Sequence, residues 1–224
     1  MQTILGANGQ IAIELARELQ LKYTSDLRLV SRNPRKVHDT DTLVSANLLD
    51  PKQTLDAVKG IPVLIGRAPE FYGPGKTQSF TNALVIERLQ AGKKPRVPVR
   101  DDTRRTLIWT PDASRALAAL GNAPDAFGQS WHLPCCDERP TYKEFVAMAS
   151  EVFGREPAYT VIGKWTLAAA GLFSKQVSEI RELLPRYEQD SLFDSTKFKR
   201  RFPSFEVTTY RQGLERISGN LQRS

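Results

Sequence analysis

The sequence predicts an α/β protein with a doubly wound parallel sheet, followed by a small, mostly helical C-terminal lobe. Short apolar strands alternate with helices over roughly the first sixty residues, and a glycine-rich turn joins the first strand to the first helix. Helical periodicity and helix caps then dominate the C-terminal part of the chain. We therefore expect a first domain over residues 1–134 and a second, helical lobe over residues 135–224.

The composition is that of a soluble globular protein. Of the 224 residues, 40% are hydrophobic and 25% are charged. No apolar run approaches the ~20 residues that a membrane span needs, and the N-terminus lacks the basic leader of a signal peptide. Cys135 and Cys136 are adjacent, and neighbouring cysteines rarely form an unstrained bridge. We therefore expect reduced thiols, a cytoplasmic protein and, since His38 and His132 are distant in sequence, no metal site.

The N-terminal stretch "MQTILGANGQIAIELARELQ" has the layout of a phosphate-binding turn. We predict a strand over Gln2–Leu5 and a helix over Gln10–Leu19. The first glycine permits a tight turn, and the second lets a pyrophosphate approach the backbone without meeting a Cβ atom. The helix N-terminus offers free N–H groups and a positive dipole end to that phosphate, although a purely structural turn is the alternative. The expected cofactor-binding residues here are Gly6, Asn8, Gly9, Gln10 and Ile11.

Residues after the second and third strands complete the predicted cofactor site. A strand over Leu27–Val30 ends just before Arg32, where a cofactor with a free ribose 2′-hydroxyl usually meets an acidic side chain. Arg32 suits a 2′-phosphate instead, so NADP is favoured over NAD; the alternative is a solvated loop charge. A third strand over Thr42–Ala46 brings Asn47 and Leu48 to positions where they can contact the adenine edge.

The C-terminal half is predicted to be mainly helical. Thr110 and Pro111 have the N-cap and first-turn chemistry of a helix that follows a strand at "TLIW". Thr141 and Glu144 form a capping box for a helix that ends at Gly154. The other predicted elements are helices over Ser79–Gln90 and near 164–173, 175–189 and 208–218, a strand over Ser130–Leu133, and a short basic helix in "DSTKFKRRFP".

Four segments resemble the extended short-chain dehydrogenase/reductase family, in particular its NAD(P)-dependent epimerase/dehydratase branch. They are "GANGQIA" at 6–12, "NLLDP" at 47–51, "RAPEFYGPG" at 67–75 and "IWTPDASRAL" at 108–117. The resemblance implies a Rossmann-type domain, an NAD(P) cofactor and hydride transfer to or from a carbinol carbon. It also implies that residues 67–105 line the substrate cleft, where the expected substrate-side residues are Arg67, Tyr72, Arg104 and Arg105.

One departure from the family pattern bears on the substrate. Glu70 and Phe71 stand where the family usually has an asparagine before its Tyr-Gly-Pro step. A carboxylate beside a sugar diphosphate is unfavourable, so the nucleotide-sugar substrates of the family are disfavoured. The apolar "AAAGLF" stretch at 168–173 favours a smaller or more hydrophobic carbonyl compound, unless it serves only to pack the lobe.

The catalytic segment of the family has no counterpart in this sequence. In the family, two βα units separate the third strand from the Tyr-Gly-Pro segment, and they carry a helical Tyr-x-x-x-Lys pair. Here a short helix over Pro51–Lys59 is followed almost at once by a strand over Val63–Arg67, which leaves no room for two units of roughly 30 residues each. Only Tyr72 and Lys76 have the required spacing, and the Gly-Pro-Gly run between them predicts a turn, not a helix. The catalytic residues therefore stay unassigned.

Two explanations of the short middle are open. In the first, which we favour from sequence, a stretch is absent between Val58 and Val63, and a step longer than the ~3.8 Å between consecutive Cα atoms marks the interruption. In the second, the chain is a shortened, catalytically inactive NAD(P)-binding regulator, similar to NmrA-like members of the superfamily. An unbroken backbone favours the second explanation and requires strand 63–67 to pair beside the first strand.

The net charge of +7 bears on partners. Basic residues cluster in four short stretches, which are either solvated surface or attract anionic ligands. Acidic residues interrupt the long basic tracts, so a small phosphate-bearing ligand ranks above nucleic acid, whose binding is a third hypothesis. We expect a small carbonyl or hydroxyl substrate and no membrane contact, and we allow for a homodimer.

Overall fold

The computed structural model describes residues 1–75, 79–163 and 184–221. These residues form two compact units, each discontinuous in sequence. The first unit comprises Met1–Ala68, Thr110–Pro134 and Ser195–Glu206, and the second comprises the described parts of Pro69–Trp109, Cys135–Asp194 and Val207–Ser224. The domain boundary expected at residue 134 stays a prediction.

The described residues alternate between short strands and helices. The strands are β1 (Gln2–Leu5), β2 (Leu27–Ser31), β3 (Thr42–Ser45), β4 (Ile65–Arg67), β5 (Glu70–Tyr72), β6 (Arg96–Pro98), β7 (Leu107–Trp109), β8 (Ser130–His132) and β9 (Thr160–Ile162). The helices are α1 (Gln10–Lys22), α2 (Pro51–Val58), α3 (Glu87–Gln90), α4 (Thr110–Gly121), α5 (Tyr142–Val152), α6 (Thr196–Arg201) and α7 (Tyr210–Leu221). A π-helical turn, Asn82–Ile86, precedes α3, and short 3₁₀ turns occupy Pro124–Ala126 and Leu184–Tyr187.

The first unit contains a parallel sheet in the order β1-β2-β3. Alternate side chains of β1 and β2 point to one face, where they bury an apolar cluster against α1 and α4. That cluster includes Ile4, Ala16, Leu29 and Ala118. On β2, Val30 belongs to a separate small cluster that includes Ala57 of α2. Helices therefore pack on strands as in a doubly wound α/β fold, as the sequence predicts.

The segment between α2 and β4 is short. Within it, the amide of Ile61 donates to the carbonyl of Val58 at 3.1 Å. The strand predicted over residues 63–67 is shorter, because β4 begins at Ile65, and it does not pair beside β1. In the described residues β4 hydrogen-bonds to β8, and β1 hydrogen-bonds only to β2. The pairing of this strand beside the first strand is therefore a wrong prediction, whereas the absence of a stretch between Val58 and Val63 stays a prediction.

The second unit is held by two parallel strand pairs and an aromatic core. The pairs are β5–β7 and β6–β9, and α5 packs against α7. The capping box of α5 is confirmed: Thr141 accepts from the amide of Glu144, whose carboxylate accepts from the amide of Thr141. The helix predicted over Ser79–Gln90 is confirmed, with a π-helical turn over Asn82–Ile86 in its central part. Asn82 is anchored there by two hydrogen bonds with the backbone of Gly73, at 2.8 and 3.2 Å, which favours the irregular turn.

Two of the predicted C-terminal helices lie wholly or mostly outside the described residues. They are the helix predicted near 164–173 and most of the helix predicted near 175–189. Among the residues that are described, no helix is long and apolar enough to cross a membrane. The same residues contain no group of three or more histidine, cysteine or acidic side chains placed to hold a metal ion.

Candidate functional site

The turn between β1 and α1 forms the floor of the candidate cofactor site. Gly6 has a φ of +71°, which the absence of a side chain makes accessible at little cost. The amide of Gly9 donates to the carbonyl of Gly6 at 2.9 Å, which closes the turn. Gly9 then occupies the N-cap of α1 and provides no side chain to cap it. The first amides of the helix have no acceptor within the helix itself, and no side chain of the N-cap residue accepts from them.

This turn lies directly against the end of β2. The amides of Gly6 and Ala7 both donate to the carbonyl of Val30, at 2.9 and 3.1 Å. Asn8 donates from its side chain to the carbonyl of Asn33 at 2.7 Å. The exposed residue Arg32 precedes Asn33, so the structure places the glycine turn and Arg32 together. That is the arrangement that a pyrophosphate and a ribose 2′-phosphate of one dinucleotide need.

The residues predicted to meet the adenine are already engaged locally. The side-chain oxygen of Asn47 accepts a hydrogen bond from the backbone amide of Leu49, at 3.2 Å. The backbone amide of Asn47 donates to the side-chain oxygen of Gln53. The side chain of Leu48 packs against the small cluster of Val30, Ala46 and Ala57. Contact of Asn47 and Leu48 with an adenine stays a prediction.

A carboxylate that the sequence analysis did not single out lies one turn into α1. Gln10 donates from its side chain to Glu14 Oε1, and Thr110 of α4 donates to the same oxygen at 3.0 Å. Glu14 Oε2 is buried and has no hydrogen-bond partner among the described residues. Burial raises the pKa of Glu14 above its ordinary value, and the hydrogen bonds from Gln10 and Thr110 oppose that rise in part. Glu14 is therefore a carboxyl group that binds its proton more readily than usual, next to the turn.

The four predicted substrate-side residues do not share one environment. Arg67 is exposed on β4 in the first compact unit, and the other three belong to the second. Arg104 is exposed and donates to the carbonyl of Arg139 at 2.8 Å. Arg105 and Tyr72 are buried, at 3% and 1% exposure. The assignment of these residues to a substrate cleft stays a prediction.

Arg105 belongs to a buried polar cluster centred on Glu70. The guanidinium Nη1 lies 3.7 Å from Glu70 Oε2, and the guanidinium carbon lies 4.1 Å from the centre of the Tyr187 ring. Glu70 Oε1 accepts hydrogen bonds from the hydroxyl groups of Thr81, at 2.7 Å, and Tyr142, at 3.0 Å. The charge of Arg105 is thus compensated inside the unit by a carboxylate and an aromatic face.

Tyr72 is a core residue of the second unit. Its ring centre lies 5.2 Å from that of Trp109, 5.8 Å from Phe145 and 6.0 Å from Tyr210. The backbone of Gly213 approaches so closely that a Cβ atom there would lie 2.5 Å from the Tyr72 hydroxyl oxygen. The Gly-Pro-Gly run after Tyr72 is irregular, as predicted. Lys76 lies outside the described residues, so the divergence of the Tyr72 and Lys76 side chains stays a prediction.

Four tyrosines of the second unit have raised pKa values. Burial, then the charge of Glu70, raises the pKa of both Tyr142 and Tyr187. Burial likewise raises the pKa of Tyr210, and the hydrogen bond to Asp101 raises the pKa of Tyr159 to about 12. Acid–base catalysis by a tyrosine is helped by a lowered pKa, and the pKa values of these four shift in the opposite direction.

Sequence reasoning missed Glu14 and the Glu70–Arg105 pair for different reasons. Glu14 is three residues after Ile11 and directly before Leu15, on the helical face predicted to be buried, so its position carried a usable signal. Glu70 and Arg105 are 35 positions apart, and no local pattern links them.

No protein-family model and no curated protein sequence matches this chain. Several solved structures, in contrast, are similar to this chain. UDP-glucuronic acid 4-epimerase from Bacillus cereus, in complex with UDP-glucuronic acid and NAD, has a TM-score of 0.72 and 11% sequence identity; 100% of this chain and 99% of that chain are covered. An NADPH-dependent quinone oxidoreductase from Escherichia coli has a TM-score of 0.69 and 15% identity, with coverage of 99% and 100%.

A third similar structure is the enzyme WbmH from Bordetella bronchiseptica in complex with NAD⁺, with a TM-score of 0.67 and 14% identity; 99% of this chain and 98% of that chain are covered. At sequence identities this low, the similarity shows a shared fold alone. The structural neighbours are epimerases and reductases of the extended short-chain dehydrogenase/reductase family, which confirms the resemblance found in the sequence. This chain therefore has the α/β, Rossmann-type fold of those enzymes.

Proposed function

We propose that the chain binds a nicotinamide dinucleotide, NADP in preference to NAD, on the turn from Gly6 to Gln10. One observation carries the proposal: the uncapped N-terminus of α1 and the exposed Arg32 lie together at the carboxyl ends of β1 and β2. The helix terminus suits a pyrophosphate and the guanidinium suits a 2′-phosphate. Solved structures of the same fold in complex with NAD support the cofactor class.

Replacing Arg32 by alanine tests the preference for NADP. We expect NADP⁺ binding to weaken by about 1–3 kcal/mol, the value of a hydrogen bond to a charged group, and NAD⁺ binding to change little. Isothermal titration calorimetry measures both. The matched control is Arg35→Ala, an exposed arginine of the same loop, for which we expect a smaller effect. Equal losses for both cofactors in Arg32→Ala would show that Arg32 does not recognise the 2′-phosphate.

Two chemical roles follow from dinucleotide binding. The first is epimerase, dehydratase or reductase chemistry, in which hydride passes to or from a carbinol carbon of a small carbonyl or hydroxyl compound. The names of the structural neighbours support this reaction class. The second is that of a catalytically inactive, NAD(P)-binding regulator. The missing Tyr-x-x-x-Lys pair motivates this second role.

Single-turnover measurements distinguish the two roles. The purified chain is mixed with NADPH and a panel of uncharged aldehydes, ketones and quinones, and absorbance at about 340 nm is followed. An inactive regulator binds NADPH without oxidising it faster than the protein-free control. Oxidation that saturates with both substrate and protein would instead establish the oxidoreductase role. We propose the cytoplasm as the compartment, because the two cysteines are adjacent in sequence and neighbouring cysteines rarely form an unstrained bridge.

A further inference from the structure

The feature that carries a further inference is the carboxyl group of Glu14. It lies four residues after Gln10, the first residue of α1, so it is about 6 Å along the helix axis from the turn. One oxygen is held by Gln10 and by Thr110 of α4, and the other is buried without a hydrogen-bond partner among the described residues. A charge at this place is incompletely satisfied, whereas a protonated carboxyl group needs fewer hydrogen-bond donors around it.

Few charged groups near Glu14 offset its charge. On α1, the charge of Arg17 lowers the pKa of Glu14 and so favours its carboxylate form. On α4, the neighbours that hydrogen-bond to Glu14 or Ile11 are the hydroxyl groups of Thr110 and Ser114. The charged residues of α4 are Asp112 and Arg115, which pair with each other at 2.8 Å, and β1 contributes no titratable side chain. The positive end of the α1 dipole favours the carboxylate, but a bound pyrophosphate uses that same end.

We propose that Glu14 is a positioning residue that couples dinucleotide affinity to its own protonation. In the protonated form it holds Gln10 at the start of α1 without opposing the pyrophosphate. In the carboxylate form it places a negative charge about one helical turn from the two phosphates, which weakens binding. Coupling is reciprocal, so the bound dinucleotide must also raise the pKa of Glu14. This inference rests on the proposed dinucleotide binding.

The direction of the pH dependence follows from the negative charge of the carboxylate form, which repels the phosphates. Affinity is highest below the pKa of Glu14 in the free protein. It falls as the pH rises through that value, and becomes constant above the higher pKa of the complex. Glu14→Gln keeps the size and the hydrogen-bonding oxygen of the side chain but has no charge at any pH. The wild-type and variant affinities should therefore agree at low pH and diverge at high pH.

The experiment is calorimetric titration of NADP⁺ into wild type and Glu14→Gln between pH 4.5 and 8.5. Because the 2′-phosphate of NADP⁺ itself titrates near pH 6, only the ratio of the two affinities is used. We expect Glu14→Gln to bind about fivefold tighter than wild type at high pH and equally at low pH. The control is Glu18→Gln, which removes a carboxylate one turn further along α1, where Glu18 pairs with Lys22. The ratio of its NADP⁺ affinity to that of wild type should not depend on pH.

Carbon-13 NMR of the Glu14 carboxyl group in the wild-type protein gives a second readout that does not depend on a variant folding. The midpoint of its titration should move to higher pH when NADP⁺ is bound. Identical pH profiles for wild type and Glu14→Gln, or an unmoved midpoint, would overturn the coupling and leave dinucleotide binding intact. Absence of NADP⁺ binding at every pH would overturn the proposed function itself.

Discussion

Replacing Glu70 by alanine is expected to lower the free energy of unfolding by about 3–5 kcal/mol, because it leaves the buried guanidinium of Arg105 without its carboxylate. The side chains of Glu70 and Arg105 are only 12% and 3% exposed, so water cannot replace the lost partner. The hydroxyl groups of Thr81 and Tyr142 lose their common acceptor as well. Urea unfolding followed by circular dichroism measures the loss.

A double variant separates the pair from its surroundings. Glu70→Leu combined with Arg105→Met replaces both charges by apolar groups of similar size, and such replacements are often close to neutral. We expect the double variant to recover most of the stability that Glu70→Ala loses. A loss below about 0.5 kcal/mol in Glu70→Ala would show that the pair is exposed to water and contributes little, as surface ion pairs do.

Tyr72→Ala is expected to cost about 3–5 kcal/mol of unfolding free energy, the usual range for removing a large aromatic side chain from a core. The ring packs against Trp109, Phe145 and Tyr210, and the backbone of Gly213 closes the space beside it. Truncation leaves a cavity that these neighbours cannot fill without moving. Chemical denaturation with an unchanged m-value would establish that the loss is one of native-state stability.

Tyr72→Phe is the matched control, since it keeps the ring and removes only the hydroxyl group. We expect a cost of about 1 kcal/mol or less, because the ring and its packing contacts are kept. We also expect NADPH binding by Tyr72→Phe to equal that of wild type. A stable Tyr72→Ala variant would contradict the core role and make the substrate-cleft assignment the better interpretation.

The local elements of the fold were accessible from sequence because their signals are local. The glycines at positions 6 and 9 mark the turn before α1, and β1 is observed at its predicted bounds. Thr141 and Glu144 mark the start of α5 by a capping box that depends on residues three apart. In each case the chemistry that forms the element lies within a few residues of it.

Features that depend on distant residues were not predictable in this way. The π-helical turn at Asn82–Ile86 accompanies hydrogen bonds between Asn82 and Gly73, nine positions earlier. The pairing of β4 with β8 joins residues 65 positions apart, whereas the chain order suggested pairing with β1. Motif position alone likewise does not reveal that the Tyr72 ring is buried.

The candidate site likewise combines features that local sequence patterns predict with features that they do not. The adjacency of the glycine turn and the β2 end follows from the βαβ pattern, and the structure has it. The engagement of Asn47 with Leu49 and Gln53, and the pairing of Arg105 with Glu70, depend on side-chain orientations that strand and helix periodicity does not specify. Catalytic residues stay unassigned, because no tyrosine of the sequence has a lysine four positions later on a helix.

Calorimetric titration of NADP⁺ into wild type and Gly9→Ala tests dinucleotide binding on the turn most directly. Gly9 has a φ of −72°, which alanine adopts, but its Cβ atom would lie 3.3 Å from the carbonyl oxygen of Gly6, on the turn that a pyrophosphate must approach. We predict binding of one NADP⁺ per wild-type chain and at least a roughly tenfold loss, about 1.4 kcal/mol, in Gly9→Ala. Gly219→Ala, where a Cβ atom meets nothing within 4 Å, should bind as wild type does. No binding by the wild-type chain, or equal binding by Gly9→Ala, would contradict the assignment.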